Sequence, residues 1–360
     1  MRVAIVLGTR PEIIKMAPLM REFERRKSDF FILHTGQHYS YNLDKVFFEQ
    51  LGLPHPKYNL EVGSGSHAEE TSKMLVGIEK VLLEEKPDIV LVEGDTNSVL
   101  AGAVAAVKLQ IKVGHVEAGL RSYDRSMPEE INRILTDHCS DYLFAPTEKA
   151  EGILLGEGIP RERIFVTGNT IVDSIYQNIE IARERGNALG TLHLSVGKYF
   201  LVTLHRQENV DNPLRFASII EGLDNVATEL QVLMVYPIHP RSRKMMSEFR
   251  LRPKDLRLVD PLDYLSFLQL ESHAKLILTD SGGVQEEACV LGVPCVTLRD
   301  NTERPETIEV GSNILAGAIA EKILECSKFM LGKENNWSNP FGDGRAGERI
   351  VDIITGGGNG

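Results

Sequence analysis

Short apolar runs rich in Val and Ile recur along the chain, and between them the apolar positions repeat at helical spacing. That alternation is the pattern of parallel strands joined by crossover helices. In the first half the runs fall at 2–7, 30–34, 88–92, 112–116, 142–145 and 164–167. A second series runs 199–204, 231–237, 256–259, 275–279 and 295–298. Between the series lie Gly168-Asn169-Thr170, a polar helical stretch over 171–185 and a glycine-containing segment over 186–197. The pattern predicts an α/β protein of two Rossmann-like, doubly wound domains facing a cleft. The expected limits are 1–168 and 169–344, with a final helix at about 345–355 packing back on the first domain and a disordered tail at 356–360.

Composition narrows the classes. A chain of 360 residues that is 42% hydrophobic and 25% charged is neither collagen-like, disordered nor a disulfide scaffold, and its length suits two domains of roughly 150 residues each. With 51 acidic against 40 basic residues the formal net charge is -11, which argues against nucleic acid or an anionic membrane as partner. An anionic ligand must then be held by a few placed cations and backbone N–H groups. The apolar run at the N-terminus is short and is followed by Arg10, Glu12 and Lys15, so it reads as a first strand rather than a signal peptide. No run approaches the roughly 18 apolar residues of a spanning helix, and a cytoplasmic location is expected. Cys139, Cys289, Cys295 and Cys326 lack CxxC spacing and read as reduced thiols.

In doubly wound folds ligands bind beyond the carboxyl ends of the strands, so the segments after each strand carry the candidate chemistry. Gly8-Thr9-Arg10-Pro11-Glu12, with Lys15 one turn on, is neither a dinucleotide fingerprint nor a Walker A loop, and no cofactor is predicted. Arg10 and Lys15 read either as phosphate-binding cations or as solvated helix charges. Ser281-Gly282-Gly283 opens a helix after an apolar strand. It suits a phosphate at free N–H groups, with Glu287 placed for a ribose diol, or alternatively a plain N-cap with close strand–helix contact. Arg304 follows the next strand and offers a second cation.

Three acids, Asp95, Glu117 and Glu129, stand near strand ends. Asp95 also fits a helix N-cap, and Ser126 with Glu129 fits a capping box, with Glu129 and Arg133 an i,i+4 pair. Glu117, at the end of an apolar strand, has no comparable structural reading. Together the three suggest proton transfer. His205 reads as a pyrophosphate contact, a proton carrier or a structural histidine. His115 and Glu117 form an HxE without the CxxC partner of a zinc deaminase, and His34 and His38 fall at a strand end and in a loop, so no metal is predicted.

The ordered set Gly8-Thr9-Arg10-Pro11-Glu12, Thr35-Gly36-Gln37-His38, Glu93-Gly94-Asp95-Thr96, His115-Val116-Glu117-Ala118-Gly119-Leu120-Arg121, Pro128-Glu129-Glu130, His205-Arg206, Thr279-Asp280-Ser281-Gly282-Gly283-Val284-Gln285-Glu286-Glu287 and Glu303-Arg304-Pro305-Glu306 resembles the non-hydrolysing UDP-N-acetylglucosamine 2-epimerases across nearly the whole chain. The resemblance implies a glycosyltransferase-B-like fold, a homodimer, a place in cell-surface polysaccharide synthesis, and UDP-GlcNAc, UDP-ManNAc and UDP as ligands. It implies inversion at C2 through a bound 2-acetamidoglucal. Proton transfer then falls to Asp95, Glu117 and Glu129. Charge on UDP falls to Arg10, Lys15, His205, Arg304 and the Ser281–Gly283 helix end, the ribose to Glu287 and the uracil to Phe267. Gln37, His38, Arg206 and His239 would serve a second, activating UDP-GlcNAc. The sequences Tyr39-Ser40-Tyr41 and 63–67, however, depart from the family's pattern for that site, and Leu262 replaces a polar residue near the base. The competing readings are a 2-epimerase for another UDP sugar, a hydrolysing relative, a glycosyltransferase and a nucleotide-sugar binding protein.

Overall fold

The structure, a computed structural model, describes residues 1–36 and 41–356, with backbone alone for 41–44. Gln37, His38, Tyr39, Ser40 and the glycine-rich end 357–360 lie outside the described residues. The chain divides into two units, Met1–Gln177 together with the chain from Phe341 onward, and Asn178–Pro340.

The first unit is built on seven parallel strands, β1 (Arg2–Leu7), β2 (Asp29–His34), β3 (Tyr58–Asn59), β4 (Ile89–Glu93), β5 (Lys112–Val116), β6 (Tyr142–Ala145) and β7 (Ile164–Val166), in the order β3-β2-β1-β4-β5-β6-β7. Their near-continuous apolar runs follow from burial on both faces. Five of the six β1 residues are buried, and all five of β4. Helix Arg10–Arg26 starts at a capping box between Thr9 and Glu12 with Pro11 in its first turn, and it ends at Lys27 in the left-handed conformation. The apolar helix Asn97–Lys108 lies close on the sheet because Gly102 leaves room for Val6 and Val92.

The second unit repeats the plan with six parallel strands, β8 (Tyr199–Thr203), β9 (Leu233–Pro237), β10 (Leu256–Val259), β11 (Leu276–Thr279), β12 (Cys295–Thr297) and β13 (Asn313–Leu315), in the order β10-β9-β8-β11-β12-β13. β3 and β13 escape the apolar pattern because two or three residues are too short to show a period. β4 ends one residue later than its apolar run, and that residue is the buried Glu93.

In each sheet the chain winds outward from one strand, then returns to the other side of it. The strand order reverses between β1 and β4 in the first unit and between β8 and β11 in the second. Crevices for ligands open at such reversals. The loops that follow these four strands begin at Gly8, Gly94, Leu204 and Asp280, so the candidate motifs sit at both reversals.

The division between units falls inside helix Thr170–Arg185 rather than at 168, because the first half of that helix is anchored in the first unit. Ser174 Oγ donates to the Ile14 carbonyl, and Asp173 accepts from the amides of Ala346 at 3.1 Å and Gly347 at 2.9 Å. Those amides open the last helix, Ala346–Thr355, which packs on helix Arg10–Arg26 through Gly347 against Pro18. Asp173→Ala should therefore lower the unfolding free energy by about 1–2 kcal/mol, the cost of losing a cap, read as an earlier urea midpoint.

Candidate active site

At the β1/β4 reversal, close packing comes first. A Cβ on Gly8 would lie 2.0 Å from Thr35 Oγ1 and 2.2 Å from Ser98 Oγ, so only glycine lets the β1 loop reach this depth. Glu12 folds back under that loop and accepts from the amides of Gly8 and Thr9 and from the Thr96 hydroxyl. Burial pushes its carboxyl up to about 7, against those hydrogen bonds. Arg10 projects from the same turn, with its guanidinium carbon 5.9 Å from the Phe47 ring centroid.

Lys15, one turn further along that helix, places its ammonium between two carboxylates. It contacts Glu117 directly and lies 3.4 Å from Glu93. Asn169, at the end of the β7 loop, donates to Glu117 at 3.3 Å. Glu117 itself has φ 68°, a left-handed backbone that costs a non-glycine residue about 1 kcal/mol or more. Burial drives the Glu93 carboxyl well above the usual range. Lys15 opposes the shift, while Glu117, Glu12 and Asp95 add to it.

Asp95 is not the helix cap. Thr96 takes that role by accepting from the Val99 amide at 3.4 Å. Asp95 instead receives Arg133 at 2.6 Å, and its carbonyl accepts from Asn132 at 2.9 Å. The capping box read on Ser126 and Glu129 does not form, nor does the Glu129–Arg133 pair. Ser126 turns to Asp124, and Arg133 reaches Glu130, one residue nearer, at 2.7 Å. Glu130 wins because it is buried and also accepts from the Ser122 and Tyr123 amides. Glu129 is left exposed in the first turn of helix Pro128–Cys139, with no hydrogen bond or ion pair among the described residues.

Beneath these acids lies a fully buried brace. His115 Nδ1 meets Asp137 at 2.7 Å and Nε2 meets the Gly94 carbonyl at 2.8 Å, so both ring nitrogens are held. Asp137 also holds Arg121 at 2.7 Å and the Gly119 amide at 3.2 Å. Burial pushes the Asp137 carboxyl up, but His115 and Arg121 outweigh it and hold the group below its usual value. One carboxylate thus ties the loop bearing Asp95 to the loop bearing Glu117.

The second unit has a matching arrangement at the β8/β11 reversal. Asp280, fully buried, accepts from the His205 amide at 3.0 Å, the Arg206 amide at 2.9 Å and Asn209 at 3.1 Å, and its carboxylate lies 3.3 Å from His205 Nδ1. Burial would raise this carboxyl, yet the hydrogen bonds and the histidine keep it low. The His205 side chain is 42% exposed, so its ring is aimed from a buried anchor toward open space. His239 stands alongside, ring centroids 5.8 Å apart, and caps helix Pro240–Glu248. Burial, His205 and Arg241 lower its ring below the ordinary histidine value.

Ser281 caps helix Gly282–Leu291, and a Cβ on Gly282 would come within 4.0 Å of the Arg206 guanidinium. A helix start with a neighbouring arginine makes an anion site. Arg304 is bound to Glu286 at 2.7 Å, which places it beside this helix as half of an ion pair. Glu287 is buried next to Glu271, whose carboxyl is driven well above the usual range by burial and by Glu287. Phe267 and Leu262 are partly buried against the core of this unit.

The sequence gives no site role to Asp137, Arg121, Glu93 or Asp280, and reads Arg133 only as a helix partner of Glu129. Asp280 and Glu93 carry a local signal, an acid directly after an apolar run. Arg133 and Asp137 reach the site from helix Pro128–Cys139 and Arg121 from the loop after β5, where a charge reads as an ordinary surface group until the fold is known.

Two parallel sheets whose strand-order reversals carry buried acids, placed cations and a helix start make an α/β protein with candidate chemistry at both reversals. The family model for UDP-N-acetylglucosamine 2-epimerase matches residues 21–355. A UDP-N-acetylglucosamine 2-epimerase of Methanocaldococcus jannaschii is 58% identical over 99% of both chains. The crystal structure of the M. jannaschii UDP-GlcNAc 2-epimerase in complex with UDP-GlcNAc and UDP superposes with a TM-score of 0.90, covering 99% of each chain. That of the Neisseria meningitidis UDP-GlcNAc 2-epimerase bound to UDP-GlcNAc, 34% identical, also gives 0.90, over 99% of this chain and all of the other. The chain belongs to the UDP-N-acetylglucosamine 2-epimerase family.

The Asp137 brace yields a stability prediction. A carboxyl held low in the folded state adds stability above its unfolded value, here 3.8, and loses it as pH falls through the folded value. Asp137→Asn should cost about 3–5 kcal/mol at neutral pH, because it removes the carboxylate that Arg121 and His115 share and leaves Arg121 only its pair with Glu157. The gap between variant and wild type should shrink in urea titrations as pH falls below that value.

Proposed function

We propose that this chain interconverts UDP-GlcNAc and UDP-ManNAc without hydrolysis. The observation that carries the reading is the Lys15–Glu117 pair, with Asp95 on the adjoining loop. A carboxylate locked by lysine and asparagine on a strained backbone suits a positioned base.

In this reading one of Asp95, Glu117 and Glu129 removes the C2 proton while the C1–O bond to UDP breaks. The C2–H electrons form the C1=C2 bond of 2-acetamidoglucal, and the C1–O pair leaves with UDP. A phosphate oxygen of UDP then re-adds at C1 as a proton is delivered to C2 on the other face. The C2 hydrogen is a weak acid, so its removal gains most when the leaving charge is stabilised at the same moment. Arg10, His205 and the Ser281–Gly283 helix end, aided by Arg304, serve that charge, while Lys15 orients the base. Glu287 holds the ribose and Phe267 lies by the uracil. No redox group enters, since the hydrogen leaves and returns as a proton. The proposal includes a homodimer and a cytoplasmic role supplying sugars for surface polysaccharide.

The test is proton NMR of the full chain with UDP-GlcNAc in heavy water. The expected result is UDP-ManNAc with deuterium at C2 of both sugars. Free ManNAc in its place would establish a hydrolysing enzyme, and absence of C2 exchange would overturn the mechanism. Glu117→Gln is expected to lower kcat by about 10²–10⁴ while UDP affinity by calorimetry stays near wild type.

A further inference from the structure

Glu12, Glu130 and Asp137 each hold backbone amides, whereas Glu93 holds none among the described residues and has no task in the proposed reaction. It closes β4 rather than a loop, it is 3% exposed, and its Oε1 accepts no hydrogen bond among the described residues. That same oxygen is 3.4 Å from Lys15 Nζ, whose ammonium is in direct contact with Glu117. Two buried carboxyl groups therefore compete for one ammonium. The charged groups facing Glu93 are Lys15 and Glu12 from helix Arg10–Arg26, Glu117 from the β5 loop and Asp95 from its own loop. A second carboxylate in this company would draw Lys15 away from Glu117 and repel an anionic substrate, whereas an uncharged acid does neither.

We propose that Glu93 is a positioning residue for Glu117: kept as the uncharged acid, it leaves the Lys15 ammonium to Glu117 and so fixes the aim of that carboxylate. The burial and the three neighbouring acids described above all favour the uncharged form. When Glu93 ionises at high pH, the pairing is shared, a negative charge appears beside Glu117, and turnover of an anionic substrate falls. The kinetic side of this inference rests on the epimerase reading, and the structural side stands without it.

The experiment uses Glu93→Gln in the full chain, since the amide copies the shape of the neutral acid. Infrared difference spectra without substrate, wild type minus variant, should show the carbonyl stretch of a protonated carboxyl at neutral pH, fading as pH rises. Absence of that band at neutral pH would overturn the proposal. With UDP-GlcNAc as substrate, kcat/KM of the variant should stay within about tenfold of wild type below neutral pH. It should then persist to a pH higher by ~1 unit or more, the shift that one neighbouring charge produces. Superimposed pH profiles would overturn the positioning role. A loss of about 10² or more at every pH would overturn it too, by making Glu93 itself the acid or base. A variant that fails to fold would refute the claim that a neutral group is what the position holds. If the wild-type chain does not epimerise UDP-GlcNAc, the substrate reading fails and the infrared band alone decides the state of Glu93.

Discussion

An ammonium sunk among acids is costly unless it is shared correctly, and the first unit is organised around that problem. Lys15 is brought in by a helix whose start is fixed by Thr9, Pro11 and Glu12, and it lands between Glu93 and Glu117. Each surrounding carboxylate has been given a distinct solution. Asp95 has Arg133, Glu130 has Arg133 and two amides, Asp137 has His115 and Arg121, and Glu12 has two amides and a hydroxyl. Satisfying buried carboxylates in these ways is what permits six acids within one sheet end without collapse of the fold.

The second unit solves a different problem with less charge. A single buried aspartate, Asp280, fixes the backbone at His205 and Arg206 and touches the His205 ring, so the loop after β8 is organised by the loop after β11. Because the two strands are neighbours at the reversal of strand order, the loops need no long reach to meet. The helix beginning at Gly282 starts at the same place, which brings a positive helix end and an arginine side by side.

Much of this was legible in the sequence for a simple reason. Strands buried on both faces write themselves as apolar runs, and in this fold the chemistry follows immediately after them. Arg10, Glu117, His205 and Ser281 could thus be marked without coordinates. What stayed hidden depends on contacts distant along the chain. Arg133 satisfies both the expected partner-seeking of a helix arginine and the need of Asp95, and its choice of Glu130 over Glu129 turns on burial, which spacing does not encode. Glu93 stands directly after the apolar run 88–92, but its closeness to Lys15 depends on where helix Arg10–Arg26 packs, which no local pattern encodes. The domain boundary moved because the entry to helix Thr170–Arg185 is held by Ile14, Ala346 and Gly347, all far away in sequence.

The left-handed backbone at Glu117 sets selection for robustness against selection for turnover at one position. Glycine would relax the φ of 68° at no steric cost while taking the direct partner from the buried Lys15 ammonium, and a screen that scores only resistance to heat or denaturant rewards that replacement wherever the backbone relief is the larger. Under the proposed reaction, in which Glu117 is a candidate base, variants recovered from such a screen would be silent. A search for a hardier form of this protein therefore has to be coupled to an activity readout, or a side chain to which the proposed reaction gives a central task becomes the first to be discarded.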